Sequence, residues 1–167
     1  KLNRDILYKN MLGILDRVNK MVAKDKDVNW YFYFPTNLEV TKLGEQILPQ
    51  ESTRNIYSEF LDKVDKSVQI GAIKVNTFKD YYEKFYITDH HWNHIGVYEA
   101  YTDIVNMFKK NYSDIQTLEG KVYIFDGVKF NGSLSRAQAN YDIYDPFAVN
   151  YFELGERKVT IDSAVAY

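Results

Sequence analysis

The chain of 167 residues contains no cysteine, which removes disulfides, thiolate zinc sites and cysteine nucleophiles from consideration. Long apolar runs are also missing. The longest, Trp30 to Pro35, is strand-sized and far short of the roughly 18 residues that a membrane span requires, so no span is expected. Nor does one sign of charge dominate: 21 basic and 23 acidic side chains leave a formal net charge of -2. A nucleic-acid partner has no electrostatic basis in such a chain. The sequence opens at Lys1 with neither an initiator methionine nor a signal-peptide pattern, and so reads as an excised piece of a longer protein. Its length and its apolar share of 46% suit one domain with a sizeable core.

Histidine is scarce too, but its placement is informative. All three, His90, His91 and His94, fall in five consecutive positions of the stretch Tyr86-Ile87-Thr88-Asp89-His90-His91-Trp92-Asn93-His94. Imidazole transfers protons near neutral pH and is the commonest metal ligand. Aromatic residues are abundant, with 15 tyrosines. Tyrosine lines saccharide-binding surfaces and equally packs half-buried sheets, and composition leaves both readings open.

Taken in order, Leu7, Met11, Ile14, Leu15, Val18, Met21 and Val22 recur at three- and four-residue steps and predict an amphipathic helix from Leu2 to Val22. Asn29 to Phe34 is apolar on both faces, as in a strand covered on both sides. Leu38 to Gln50 reads as an irregular crossing segment. Ser52 or Thr53 can cap a helix carrying Ile56, Phe60, Leu61 and Val64, and a second strand is expected near Gly71 to Asn76. Thr77 to Glu83 reads as a short helix. Asn93 is a good N-cap for a helix whose stripe is Val97, Tyr98, Tyr101, Ile104, Val105 and Phe108. Beyond Ser113, glycines punctuate strand-like runs at 122–125, 149–154 and 158–161, with a hairpin turn at 154–157. The alternation predicts an α/β body with a β-rich C-terminal portion.

Three readings of the histidine stretch compete. In an extended loop, Asp89 and His91 project to the same side, so the carboxylate can orient the imidazole and leave its other nitrogen to act as a base. His90 would then point the other way and serve as a hydrogen-bonding residue. Alternatively His90 and His94, four apart, echo a zinc motif, although His91 stands where the motif's glutamate would be and the cap at Asn93 splits the pair. The third reading is a solvated helix start with no chemistry.

The string Tyr86-x-Thr88-Asp89-His90-His91-Trp92-x-x-x-Gly96, followed by Tyr98, Ala100 and Tyr101, resembles the signature of the DHHW protein family. More broadly it is similar to the D-x-H-W motif of SGNH-hydrolase-like proteins that O-acetylate alginate and related bacterial polysaccharides. Phe130-Asn131-Gly132-Ser133 resembles the family's Phe-x-Gly-Ser segment, and Phe34-Pro35-Thr36 its strand-end Pro-Thr. The resemblance implies an SGNH-hydrolase-like α/β domain over residues 1–167, a parallel sheet flanked by helices, incomplete at its C-terminal side. It implies His91 as general base, Asp89 as its orienting partner and a serine nucleophile on a later turn. Asp162-Ser163 echoes Gly-Asp-Ser only weakly, because Ile161 replaces the glycine that a tight turn favours. Ser163 and Ser133 are thus weak candidates, and the nucleophile is expected beyond Tyr167.

Trp92, Asn37 and Asn131 are candidate substrate-binding residues, with Trp92 either stacking on a sugar or packing under the loop. No metal and no cofactor is assigned. The function implied is a serine-dependent O-acyl esterase or O-acetyltransferase acting on a cell-envelope or extracellular polysaccharide. The alternative is a noncatalytic carbohydrate-binding or assembly protein that retains the fold, and a metallohydrolase ranks third.

Overall fold

Tyr31–Phe34 forms the first strand, β1, and its two faces meet different helices in a computed structural model that describes residues 4–34, 38, 41–47 and 54–152. Successive side chains of a strand point to opposite faces. Phe32 and Phe34 point into a cluster with Met11, Leu15 and Val22 of α1 (Arg4–Lys24) and Phe60 of α3 (Arg54–Lys63). Tyr31 and Tyr33 point the other way, toward α5 (His94–Lys109), where Tyr31 meets Phe108 edge-on at 4.6 Å. There the Tyr33 hydroxyl donates to Asp103 at 3.2 Å. The apolar character on both faces, read from the sequence, thus has a partner on each side.

β1 pairs in parallel with β2 (Gln69–Ala72), Tyr31 opposite Gln69 and Phe34 opposite Ala72. The helix–strand alternation therefore yields the expected α/β arrangement, a small parallel sheet with helices on both faces. Three expectations are corrected. β2 lies earlier than 71–76, because Ile73 and Val75 are buried yet extend past the paired part of β1. The segment read as irregular contains a short helix, α2 (Lys42–Ile47), whose Leu43 N–H donates to the Val75 carbonyl at 3.2 Å. Along α1 the buried stripe is narrower than the periodicity suggests, since Ile14 and Met21 face solvent.

The helix α4 (Phe78–Lys84) starts at Thr77, where Thr77 and Asp80 form a capping box. A second buried cluster, Leu43, Ile73, Val75, Phe85 and Ala100, ties α2, the end of α4 and α5 together. The C-terminal portion is a two-stranded antiparallel ribbon, β3 (Gly120–Phe130) and β4 (Asp145–Phe152), joined through α6 (Ser133–Ala137). Its register shifts between Ile124 and Lys129, and Gly127 there has φ of +77°, which favours glycine. Phe152 packs on Tyr101 of α5 at 4.9 Å and anchors one end of the ribbon. The other end, Phe130 opposite Asp145, lies at the histidine loop. The expected turn at 154–157 and strand at 158–161 lie outside the described residues, as do the proposed caps Ser52 and Thr53. Among the described residues no helix is long and apolar enough to cross a membrane.

Phe85 is 2% exposed in the second cluster, whereas Phe78 on α4 is 52% exposed. Phe85→Ala should therefore lower unfolding free energy by about 3–5 kcal/mol in urea titrations. Phe78→Ala should stay within about 0.5 kcal/mol of the parent. Equal losses would contradict this placement of the core.

Candidate active site

The histidine stretch is a narrow loop held at its base. Phe85 and Trp92 form an antiparallel bridge, the Tyr86 N–H donates to the His91 carbonyl at 3.2 Å, and the Asn93 N–H donates to the Lys84 carbonyl at 2.9 Å. The expected cap at Asn93 is present and does more than cap. Its Oδ1 accepts from the N–H groups of Ile95 (2.9 Å) and Gly96 (3.2 Å), and its Nδ2 donates to the carbonyls of Glu83 (2.8 Å) and Phe85 (3.2 Å). One side chain thereby starts α5 and fastens the end of α4 to it. A Cβ at Gly96 would come within 2.3 Å of the Lys84 carbonyl oxygen, so a larger residue there would force the two helices apart.

At the tip, the chain buries Thr88 and Asp89 and turns His90 and His91 outward, with their side chains 59% and 71% exposed. The Asp89 Oδ1 lies 2.5 Å from His91 Nδ1 and accepts the His91 backbone N–H at 3.1 Å. The Asp89 Oδ2 accepts the Ser133 N–H at 2.6 Å. Burial pushes the Asp89 carboxyl up. Hydrogen bonds from Ser133 and His91 outweigh burial and hold it well below the usual carboxylate range. An ionised Asp89 accepts the Nδ1 proton of His91, so Nε2 carries the lone pair. The pair can therefore take a proton at Nε2 while the carboxylate steadies the imidazolium.

The loop reaches this arrangement through bends rather than as an extended strand. The contact between Asp89 and the N–H two residues on is an Asx-type turn, which brings the two side chains together locally. The same bend overturns the expected orientation of His90. Its ring lies beside that of His91, centroids 4.0 Å apart, rather than opposite, and its Nδ1 meets the Ser133 Oγ at 3.1 Å.

Beneath the tip sits a residue to which the sequence reading assigned no role. Asp145, at the start of β4 and 5% exposed, accepts the Ile87 N–H at 2.9 Å, the Thr88 N–H at 2.8 Å and the Thr88 hydroxyl at 2.6 Å. The Thr88 Oγ1 in turn accepts the Gly132 N–H at 2.9 Å. The Thr88 carbonyl accepts from Leu134 (3.0 Å) and Ser135 (3.3 Å) in α6. A Cβ at Gly132 would lie 2.4 Å from both the Asp89 Cβ and the Thr88 oxygen. That contact explains the glycine of the Phe-x-Gly-Ser segment in physical terms. No local pattern marks Asp145, which is 57 residues from Thr88 in the chain.

Trp92 is half-buried beside the second core cluster, edge-on to Tyr33 at 6.3 Å, and it also lines a groove of about 480 Å³ with Tyr86, His94, Tyr98, Phe147 and Phe152. Burial lowers the pKa of His94 in this groove. Asn131 donates to the Ile143 carbonyl at 2.7 Å and so braces the turn between β3 and β4. Asn37 and Ser163 lie outside the described residues. Among the described residues, the donor atoms that come within 4.8 Å of one another belong to Asp89, His90 and His91. That set replaces the His90–His94 pairing of the zinc-like string, and its ring nitrogens at Nδ1 already face Asp89 and Ser133.

The depressed Asp89 pKa gives a sign to the acid response. A group whose folded pKa is lowered contributes fully above the ordinary carboxyl value of about 4, and that contribution fades as pH falls from there through the depressed folded value. Asp89→Asn should therefore lower Tm at neutral pH, and the gap to the parent should hold down to about pH 5 and then shrink steadily as pH falls below it. A gap that does not change with pH in thermal melts would contradict this assignment.

No family model and no curated protein sequence matches the chain. Solved structures do. A structure of PatB1 from Bacillus cereus carrying a sulfonyl adduct superposes with a TM-score of 0.62 at 16% identity, covering 87% of this chain and 50% of that one. A second PatB1 structure gives a TM-score of 0.60 at 18% identity, with 87% and 52% covered. The chain thus spans about half the length of these structures. The likeness is one of fold: the chain shares the α/β architecture of these structures, in keeping with the α/β class expected from its sequence.

Proposed function

We propose that this chain carries the base half of a serine-dependent O-acyl esterase or O-acetyltransferase of the DHHW type, acting on a cell-envelope or extracellular polysaccharide. One observation carries the reading: Asp89 is buried and ionised, 2.5 Å from His91 Nδ1, while the His91 ring is turned to solvent. This is the orienter-and-base geometry of an acyl-transfer triad. The fold shared with PatB1 supports it, and so does the sulfonyl adduct named for one PatB1 structure, since sulfonyl electrophiles react with activated nucleophiles.

In the proposed reaction His91 Nε2 removes the proton of a serine hydroxyl as its oxygen attacks the ester carbonyl. Asp89 stabilises the resulting imidazolium. His91 then returns the proton to the departing alkoxide, leaving an acyl-serine. Water attacking the acyl-serine completes an esterase, and a sugar hydroxyl completes a transferase. The serine is supplied from outside the described residues. The Ser133 hydroxyl meets His90 Nδ1 at 3.1 Å rather than His91, which disfavours it as the partner of this base. Trp92 lines the aromatic groove and is the side chain proposed to meet a sugar ring. The same groove favours the second reading, a noncatalytic glycan-binding protein of this fold.

In the protein expressed from its whole reading frame, His91→Ala should reduce kcat on a chromogenic acetyl ester by about 10²–10⁴-fold. His90→Ala should leave most of it. Equal losses from the two variants would contradict the division of roles. Undiminished turnover without His91 would leave the glycan-binding reading in its place.

A further inference from the structure

Asp145 and Thr88 touch neither the outward face of His91 nor any surface open to a substrate, yet they determine where Asp89 sits. We infer that they are positioning residues of the Asp89–His91 pair, an inference that rests on the catalytic reading of that pair. The geometry runs through a single hydroxyl. Among the described residues Asp145 accepts from three donors, the N–H groups of Ile87 and Thr88 and the Thr88 hydroxyl. Its strongest contact, 2.6 Å, consumes the Thr88 hydroxyl proton and so leaves the Thr88 oxygen as an acceptor aimed at the Gly132 N–H, 2.9 Å away.

Thr88 thus joins the two strands of chain that flank the catalytic carboxylate. On one side it is the residue immediately before Asp89. On the other it holds the turn at Gly132, whose next residue donates its N–H to Asp89 Oδ2 at 2.6 Å. The Thr88 carbonyl repeats the tie through Leu134 and Ser135. A Cβ on Gly132 would lie 2.4 Å from the Asp89 Cβ, so the turn approaches Asp89 more closely than a residue with a side chain could. Both the backbone under Asp89 and the donor on its far oxygen are therefore set by one buried carboxylate brought in by β4. With Oδ2 held this way, Oδ1 is the oxygen left to hold the Nδ1 proton of His91. Loss of the link would let Asp89 rotate and His91 adopt the Nε2-protonated tautomer, which cannot act as the base.

The test uses the protein from its whole reading frame with ¹⁵N-labelled histidine. Nitrogen shifts of the neutral His91 ring report its tautomer, which a merely structural role would not alter. Thr88→Val keeps the shape and removes the hydroxyl, and Asp145→Asn places an amide against donors. Both should move His91 from the Nδ1–H form toward a mixture and lower kcat by about 10–100-fold with KM unchanged, while Thr88→Ser restores both. Ser133→Pro covers the event that those variants do not fold. Proline is tolerated at the first helical position and deletes only the N–H on Asp89 beyond what Ser133→Ala removes, so it should shift the tautomer further than Ser133→Ala does. Folded variants whose His91 tautomer matches the parent would overturn the inference and leave the catalytic reading intact. A shifted tautomer in a protein that turns over esters without His91 would support the positioning role and sink the catalytic one.

Discussion

Burying the Asp89 carboxylate opposes its charge, and the hydrogen bonds from Ser133 and His91 reverse that cost. The rest of the histidine loop depends on this balance. An ionised Asp89 draws in the Nδ1 proton of His91, while a neutral one would leave the imidazole free to rotate in solvent. The donors, however, come from two places in the chain. One is local, the N–H and ring of His91. The other, the Ser133 N–H, arrives from a turn 44 residues further on. The charge state of the carboxylate is therefore a tertiary property.

The scaffold around it divides the labour. Asn93 and Gly96 clamp α4 to α5, so the loop leaves and re-enters a rigid base. The parallel pair β1 and β2 lies behind that base, and Tyr33 contacts Trp92 edge-on from the sheet. The antiparallel ribbon has a different task. Its Phe152 end rests on α5, and its Asp145 end reaches under the loop tip. A two-stranded ribbon has little stability by itself, so its attachment at both ends matters to its register. Much of β3 is exposed and apolar, including Tyr123 and Ile124, in contrast to the tightly held end at Phe130.

Local signals were the legible ones. The start of α5 follows from Asn93, whose short amide can reach the N–H groups of the first turn, and from a helical stripe that extends to Phe108. The strand at 31–34 follows from apolar residues on both faces, because only a doubly covered strand has use for them. Periodicity overestimated α1, where Ile14 and Met21 lie at the margins of the stripe and the partner α3 covers only its centre. It missed α2, six residues long, since so short a helix holds through contacts such as Leu43 with Val75 more than through its own pattern. Strand alternation fails for His90 because the segment bends there, which brings its ring beside that of His91.

The start of α5, the strand at 31–34 and the pairing of Asp89 with His91 are legible in the sequence, because capping, alternation and close spacing act within a few residues of chain. The sequence also marked Gly132 and Ser133 by resemblance, without a reason for either. Three features belong to the tertiary structure alone: Asp145 underpins the loop, Gly132 leaves no room for a side chain, and the Ser133 N–H reaches Asp89. The physical reason is range. A hydrogen bond across 57 residues has no periodicity to betray it, and a buried carboxylate looks like any other aspartate until the fold shows which donors surround it.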